Sequence, residues 1–258
     1  MIDRIKIFGE RNTGTNFAEL LIGLNHPGLR VLTHGDNNGL NEQAAKFGAG
    51  RAPVVLERLI DARRAAEFPE NFGWKHAAPA PDAIRAAPAF AQTCFLFLVR
   101  NPFQFLTSLA RRPYNLILPD GRPGDMSGFL RGPILLNQRD GLAVRDGVVA
   151  NPVQLWSLKT AAHRATAAAL GKQALLLRYE DLVADPTRPA RWLATLGHRT
   201  DGVLKVPAAS TKGDALSFSD YQARTRDVDP VEAFSPEDRA YVVEQIDQKL
   251  CADLGYSL

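Results

Sequence analysis

The segment Thr93–Val99 is an unbroken run of largely apolar residues, Thr-Cys-Phe-Leu-Phe-Leu-Val. A run of this length that does not alternate with polar residues predicts a β-strand buried on both faces. Such burial is typical of parallel sheets, because their crossover connections place helices on each side. Arg100, Asn101 and Pro102 follow the run, and proline suits the first turn of a helix. The chain is therefore expected to contain an α/β unit with a parallel sheet.

The same strand-then-helix order recurs on both sides of this run. Residues 5–8 predict a short strand. The apolar residues that follow at the spacing of a buried helix face are Phe17, Leu20, Leu21 and Leu24. Residues 174–177 are another apolar run, and weaker strand patterns lie at 30–33 and 72–75. This alternation predicts one domain over residues 1–258, a three-layer α/β/α fold with a central four- to five-stranded parallel sheet.

Composition and charge restrict the class of ligand. The chain has 258 residues, of which 45% are hydrophobic and 23% are charged, as in ordinary globular proteins. Its net charge of +3 suits a phosphorylated ligand but is too small to indicate nucleic acid. Two cysteines and no HExxH or CxxC motif predict no metal site. Without a signal-peptide pattern or an apolar run near about 18 residues, we expect a cytoplasmic protein with no transmembrane segment. The oligomeric state is not indicated.

A loop with phosphate-binding spacing follows the first predicted strand. Gly9 and Gly14 have the GxxxxG spacing of such loops. The next two residues are Thr15 and Asn16, where nucleotide triphosphatases have Lys and Ser or Thr. The loop can still direct backbone N–H groups and a helix N-terminus towards an anion. An anionic donor bound without an essential metal is therefore favoured over ATP, and a purely structural glycine turn is the alternative.

A second candidate anion site lies at the end of the central strand. Arg100 stands at the carboxyl end, where ligands bind in open parallel sheets. Ser108 follows eight residues later, about two helical turns along the same face. A guanidinium with a hydroxyl beyond it forms a compact phosphate site. The alternative is a helix-capping arginine and a surface serine without a ligand.

In their order and spacing these motifs resemble the sulfotransferase superfamily that uses 3′-phosphoadenosine 5′-phosphosulfate (PAPS). Residues 9–16, Gly-Glu-Arg-Asn-Thr-Gly-Thr-Asn, are similar to its 5′-phosphosulfate loop. Arg100 and Ser108 are similar to its 3′-phosphate motif, with the same spacing. Residues 177–182, Leu-Arg-Tyr-Glu-Asp-Leu, resemble the segment whose tyrosine lies near the adenine. The resemblance spans most of the chain and leaves residues 113–152 unmatched.

A further match is less complete. Lys212 and Gly213 resemble the family's late cofactor loop, although Thr211 stands where the family has arginine and the trailing Gly-Asp-Trp is missing. The resemblance implies a P-loop NTPase-like sulfotransferase fold that binds PAPS as co-substrate and releases 3′-phosphoadenosine 5′-phosphate (PAP). The cofactor-binding residues that it implies are Arg11, Asn12, Thr13, Gly14, Thr15, Asn16, Arg100, Ser108, Tyr179, Lys212 and Gly213.

One departure from the family concerns the charge of the loop. The family's usual loop lysine aligns with Asn12, which is neutral. Because displacement of PAP requires a cation near the bridging oxygen, another residue must supply the charge. We hypothesise that Arg11, helped by Lys75, supplies it, and both residues are catalytic candidates.

His76 is the candidate general base. An imidazole pKa near about 6.5 suits proton removal from an acceptor at neutral pH. The pair Lys75-His76 also resembles the family's Lys-Thr-His, shifted by one residue. His34 and the loop carboxylate Glu10 stay open as alternative bases.

Residues 113–152 are rich in Gly, Pro, Asn and Asp, with a hairpin expected near 140–149. A segment this long and irregular is typical of an acceptor-binding loop or lid. The arginines in and beside it are Arg111, Arg112, Arg122, Arg131, Arg139 and Arg145. They fit an anionic acceptor such as an acidic glycan or phosphorylated saccharide, and they equally fit ordinary surface charge.

The sequence thus predicts a PAPS-dependent sulfotransferase. Its acceptor carries a hydroxyl or amine group, as a glycan or a small metabolite does. Two other functions stay open: a nucleotide kinase or NTPase on the same scaffold, and a PAP- or PAPS-binding protein without catalysis.

Overall fold

The computed structural model of the chain describes residues 2–113, 116, 124–200, 202–207, 217–227 and 229–258. The strands in these residues are β1 (Arg4–Gly9), β2 (Arg30–Leu32), β3 (Thr93–Val99), β4 (Ile134–Leu135), β5 (Val148–Val149) and β6 (Ala174–Arg178). The α-helices are α1 (Thr15–Asn25), α2 (Leu40–Ala45), α3 (Ala52–Asn71), α4 (Pro81–Ala86), α5 (Pro102–Arg111), α6 (Met126–Arg131), α7 (Pro152–Leu170), α8 (Tyr179–Ala184), α9 (Arg188–Thr195), α10 (Phe218–Asp227), α11 (Pro236–Gln245) and α12 (Gln248–Asp253). Short 3₁₀ turns lie at Phe90–Gln92, Gln138–Asp140, Arg145–Gly147 and Gly171–Gln173. None of the helices in these ranges is long and apolar enough to span a membrane.

Four parallel strands form the central sheet, in the order β2-β1-β3-β6, and the predicted parallel sheet is confirmed. The two middle strands are paired up to their carboxyl ends, where Gly9 lies opposite Leu98. On the other edge of β3, Val99 lies opposite Arg178 of β6. The carboxyl ends of three strands therefore meet at one edge of the sheet, which is where ligands bind in folds of this kind.

Helices cover both faces of the sheet, and the side chains of β3 alternate between the two apolar layers that result. Cys94, Leu96 and Leu98 pack on the side of α1, α8 and α9. Phe95 and Phe97 pack on the side of α4, α7 and the end of α3. All five side chains are fully buried. The unbroken apolar run is thus a strand covered on both faces, and the three-layer α/β/α fold is confirmed.

The strand expected just after α3 does not form, and that prediction was wrong. Phe72 and Gly73 have φ angles of 60° and 67°. These angles lie in the left-handed region, which ends the helix and is incompatible with an extended strand. The chain instead passes the end of β1, where Gly9 N donates a hydrogen bond to Lys75 O at 3.0 Å.

Much of the segment expected to be irregular is ordered and packed. Residues 124–152 contain α6 and a hairpin of β4 and β5, in which Ile134 pairs with Val149. Leu130 and Ile134 are fully buried in a third apolar cluster, together with residues of α5, α7, α11 and α12. The hairpin begins before the expected position, and the connection between its strands holds two 3₁₀ turns. The remainder of the segment that lies outside the described residues comprises 114, 115 and 117–123.

Candidate active site

The first candidate anion site is the loop between β1 and α1. Thr13 N and Thr13 Oγ1 both donate to Glu10 O, at 3.1 Å and 2.6 Å, and close a tight turn. Asn12 and Gly14 have φ angles of 67° and 89°, which direct the chain into the helix. α1 begins at Thr15, and its N-cap residue is Gly14, which has no side chain to cap the first turn. The first N–H groups of a helix point along its axis away from the helix body, which is the geometry of anion-binding helix N-termini.

Tyr179 lies against this loop at Gly14. It is the first residue of α8, directly after β6. A Cβ atom on Gly14 would lie 2.4 Å from Tyr179 Cδ2, far inside the contact distance of two carbon atoms. Glycine is therefore required here both for its positive φ and for the close approach of the ring. The contact joins the loop after β1 to the exit of β6.

Arg100 connects the loop to the second candidate anion site. Its Nη1 donates to Asn12 O at 2.8 Å and to Ser108 Oγ at 3.2 Å. Its guanidinium carbon lies 4.7 Å from the centroid of the Tyr179 ring, a cation–π contact. Trp156 Nε1 holds the backbone by donating to Arg100 O at 2.8 Å. The structure thus brings together four of the residues that the family resemblance implies.

Glu180 fastens the elements that carry Arg100 and Tyr179. Its Oε1 accepts a hydrogen bond from Asn101 N at 2.9 Å, at the start of α5. Its Oε2 accepts one from the Tyr256 hydroxyl at 3.2 Å. Burial raises the pKa of Glu180. This carboxyl group therefore has a structural role, in which it joins α8 to α5 and to the C-terminal residues.

Lys75 lies beside the first turn of α1. Its Nζ contacts Asn16 Oδ1 at 2.5 Å and the Glu19 carboxylate at 3.0 Å. The Glu19 carboxylate partly neutralises the ammonium group, which lies beside the N-terminal end of α1, directly after the loop. Lys75 is therefore positioned to add positive charge at the first anion site.

His76 is held at the end of β1. Its Nδ1 lies 2.7 Å from Gly9 O. Because a carbonyl oxygen only accepts hydrogen bonds, Nδ1 carries the hydrogen and Nε2 keeps its lone pair. Burial and the neighbouring charge of Arg11 lower the pKa of His76 to about 3. The ring is therefore neutral at pH 7, with Nε2 as its basic atom.

Arg11 faces the protein interior, which differs from its expected role. It is 2% exposed, and its Nη1 donates to Glu10 Oε1 at 2.7 Å and to Asp140 Oδ1 at 3.1 Å. Two carboxylates thus neutralise the guanidinium beneath the loop. This placement argues against the hypothesis that Arg11 supplies charge at the bridging oxygen and makes it a support of the loop.

The two alternative bases are Glu10 and His34, and each has a lowered pKa, as His76 does. Burial alone would raise the pKa of Glu10, but the charges of Lys159 and Arg11 outweigh burial and hold it below its usual range. The Glu10 carboxylate is buried, with Arg11 and Lys159 as its ion-pair partners. His34 packs its ring on Trp74, with centroids 4.7 Å apart, and burial lowers its pKa to about 4. None of the contacts described for His34 reaches the loop.

Three buried polar residues that no sequence motif singles out lie on one face of α7. Lys159, His163 and Thr166 follow at i, i+4 and i+7, and each is at most 2% exposed. His163 Nε2 lies 2.8 Å from Ala77 O, and Thr166 Oγ1 donates to Pro79 O at 2.9 Å. Polar residues at helical spacing in a buried helix are a detectable signal. The partners of His163 and Thr166 cannot be predicted from the sequence, because they lie more than 80 residues away along the chain.

The arginines of the expected acceptor segment contribute less free charge than their number implies. Arg139 is buried and pairs with Glu57 and Asp61 of α3. Arg131 pairs with an aspartate of α11 at 2.6 Å. Arg122 lies outside the described residues. Arg111 and Arg112 are exposed at the end of α5, so part of the positive charge lies on the surface, and an anionic acceptor stays a prediction.

Two further expectations concern the late cofactor loop and metal ions. Lys212 and Gly213 lie outside the described residues, so their cofactor role stays a prediction. Within the described part of the chain, no group of three or more His, Cys, Asp or Glu side chains is arranged to hold a metal ion.

Replacing Gly14 by alanine should lower the free energy of unfolding by about 2–5 kcal/mol. The cost of a positive φ in alanine adds to the steric clash between the new Cβ and the Tyr179 ring. The matched control is Gly39→Ala, where φ is 77° and no atom lies within 4 Å of the added Cβ. That variant should lose only about 1–2 kcal/mol. Urea unfolding measures both, and equal losses would contradict the Gly14–Tyr179 contact.

Three histidines should make the protein less stable on acidification. Burial lowers the pKa of His34 to about 4, of His76 to about 3 and of His163 to about 4. Unfolding returns each pKa to about 6.5, so the unfolded chain binds more protons at intermediate pH. The stability is therefore complete above about pH 6.5 and is lost as the pH falls towards 4.

The measurement is urea unfolding between pH 7 and pH 5. We expect the unfolding free energy to decrease with acidification, and His163→Gln should reduce the slope by about 1.4 kcal/mol per pH unit, the contribution of one proton. The glutamine amide can still donate to the carbonyl of residue 77. An identical slope in the wild type and this variant would contradict the buried, neutral state of His163.

Two solved structures are similar to the chain over its whole length. The sulfotransferase domain from the curacin biosynthetic pathway has a TM-score of 0.51 and 13% sequence identity, and the match covers 100% of this chain and 99% of that domain. The sulfotransferase domain from the Synechococcus PCC 7002 olefin synthase has a TM-score of 0.51 and 16% identity, with 100% and 96% covered. No family model matches the sequence, and no curated protein does. In its architecture, the chain has a sulfotransferase fold, as its sequence motifs predict.

Proposed function

We propose that the chain is a sulfotransferase that takes a sulfuryl group from PAPS and transfers it to a hydroxyl or amine acceptor. The position of Arg100 carries this proposal, because its guanidinium contacts both Asn12 of the loop and Ser108 of α5. Two anion-binding elements thus lie side by side at the carboxyl edge of one sheet. An adenosine with phosphates at both its 5′ and 3′ positions matches such a pair.

In the proposed complex each end of the nucleotide has its own binding group. The 5′-phosphosulfate meets the N–H groups of residues 14–16 and the positive end of the α1 dipole. Arg100 and Ser108 hold the 3′-phosphate through charge-assisted hydrogen bonds. Tyr179 lies beside the adenine. Positive charge comes from the protein, so binding requires no metal ion.

The proposed reaction is an in-line displacement at sulfur. A lone pair of the acceptor oxygen or nitrogen forms the new bond to sulfur, while the bond from sulfur to the bridging oxygen breaks and PAP leaves with the electron pair. His76 Nε2 takes the acceptor's proton. The negative charge of the bound donor raises the pKa of His76. Lys75 stabilises charge on the leaving phosphate, in the role first given to Arg11.

A PAP- or PAPS-binding protein without catalysis is the second candidate. Two observations favour it: the neutral Asn12 at the family's lysine position, and the burial of Arg11 between two carboxylates. A kinase or NTPase has less support, because Thr15 and Asn16 replace the side chains that hold a γ-phosphate and Mg²⁺.

The test compares two nucleotides that differ only in the 3′-phosphate. By calorimetry, we expect PAP to bind the wild type at least about tenfold more tightly than adenosine 5′-phosphate. Arg100→Gln should weaken PAP binding by at least about tenfold, or about 1.4 kcal/mol, and change adenosine 5′-phosphate binding less than about threefold. The control is Arg164→Gln, an exposed arginine of α7 that should leave both affinities unchanged.

The outcomes separate the candidates. An absence of PAP binding by the folded wild type would reject the nucleotide assignment. An equal loss for both nucleotides in Arg100→Gln would reject Arg100 as the 3′-phosphate group. Transfer of label from PAPS to a panel of phenols, saccharides and amines would identify an enzyme, whereas PAP binding without transfer would support the second candidate.

A further inference from the structure

We propose that Lys159 is a positioning residue, which together with Asp140 holds His76 against the donor loop. The expected effect on turnover rests on the proposed sulfotransferase function. The effect on His76 itself does not, because it concerns the state of a side chain in the protein without substrate.

Lys159 reaches three separate elements from α7. Its Nζ donates to His76 O at 2.6 Å and to Asp140 O at 2.7 Å. The same atom lies 3.2 Å from Glu10 Oε2 and 3.4 Å from Asp140 Oδ1. An ammonium group has three N–H donors, and because the residue is 1% exposed, protein groups replace water as its partners. One buried charge therefore ties α7 to the donor loop and to the segment that carries the candidate base.

The segment that carries His76 depends on α7, because it does not belong to the sheet. His163 lies 2.8 Å from Ala77 O, and Thr166 donates to Pro79 O at 2.9 Å. Buried carbonyl groups require hydrogen-bond partners, and here the side chains of a helix replace a neighbouring strand. The carbonyl of His76 is the first of this series, and its partner is Lys159 Nζ at 2.6 Å.

Asp140 is the last residue of the 3₁₀ turn Gln138–Asp140, which packs against the segment that carries His76. Its Oδ2 accepts a hydrogen bond from Asn137 N at 3.0 Å, and its carbonyl accepts one from Ala78 N at 2.9 Å. Gly141 has a φ angle of 69°, and a Cβ there would lie 2.9 Å from Ala78 O. Asp140 is fully buried. The turn therefore presents its carboxylate to Lys159 in one orientation.

Four buried charges balance in this network. Their residues, each at most 3% exposed, are Glu10, Arg11, Asp140 and Lys159. Burial raises the pKa of Asp140, but Lys159 and Arg11 outweigh it and keep the carboxylate ionised. Removing a single charge would leave its partners uncompensated in the interior. A test of positioning must therefore remove one cation and one anion together.

These contacts hold His76 at both ends. Its Nδ1 lies 2.7 Å from Gly9 O, while its own carbonyl accepts from Lys159. The charged side chains that face the ring are Arg11, Glu10 and Lys75. A ring held in this way presents Nε2 in one tautomer and one orientation. Loss of the Lys159 contact should therefore allow both tautomers of the ring and more than one ring orientation.

The test compares two charge-balanced double variants of the full chain. Lys159→Met/Asp140→Asn removes a buried cation and a buried anion, and the control Arg131→Met/Asp238→Asn removes a separate ion pair. Imidazole ¹⁵N spectra over a pH series report the tautomer and titration of His76. In the wild type and control we expect the Nδ1–H tautomer and titration well below the ordinary pKa. In the Lys159/Asp140 variant we expect mixed tautomers and titration at least about one pH unit higher.

If the chain transfers sulfuryl groups, the Lys159/Asp140 variant should lose at least about tenfold in kcat, with the Kd for PAP within about threefold of the wild type. Unchanged His76 spectra or an unchanged kcat in the folded variant would overturn the proposal. If this variant does not fold, Lys159→Arg keeps the charge but moves the donors, and an unshifted His76 titration in it would also overturn the proposal. If the His76 spectra change as expected but the wild type transfers no sulfuryl group, the proposed function is rejected and the positioning role of Lys159 is retained.

Discussion

The hydrogen bond from Arg100 to the main-chain oxygen of Asn12 joins the exits of the two central strands, and the candidate site depends on it. It exists because β1 and β3 are neighbours in register, with Gly9 opposite Leu98. A parallel sheet aligns the carboxyl ends of its strands, so residues from distant parts of the chain meet there. Tyr179, at the exit of β6, completes the group by packing on the loop glycine.

Beneath the loop, buried charges define its shape. Arg11 and Glu10 point inwards and are balanced by Lys159 and Asp140. Buried ion pairs of this kind often contribute little net stability, and their attested use is to specify one arrangement. A loop supported in this way can bind an anion with little further ordering. Arg11, the one cation of residues 9–16, supports the loop from the interior, which leaves Lys75 as the candidate cation for the reacting groups.

Features determined by neighbouring residues could be predicted from the sequence. The apolar run of β3, the glycine spacing of the loop and the Arg100–Ser108 separation all led to the observed arrangement. The strand expected after α3 was wrong because Phe72, a residue other than glycine, adopts a positive φ that periodicity does not report. The inward direction of Arg11 depends on Asp140, which lies 129 residues away, and no local pattern pairs them.

One nucleotide is expected to occupy both anion sites at once, and a crystal structure of the protein with PAP would show whether it does. We expect the 3′-phosphate within hydrogen-bonding distance of Arg100 and Ser108, and the 5′-phosphate at the first-turn N–H groups of α1. A nucleotide bound elsewhere, or one bound with its two phosphates exchanged, would contradict it.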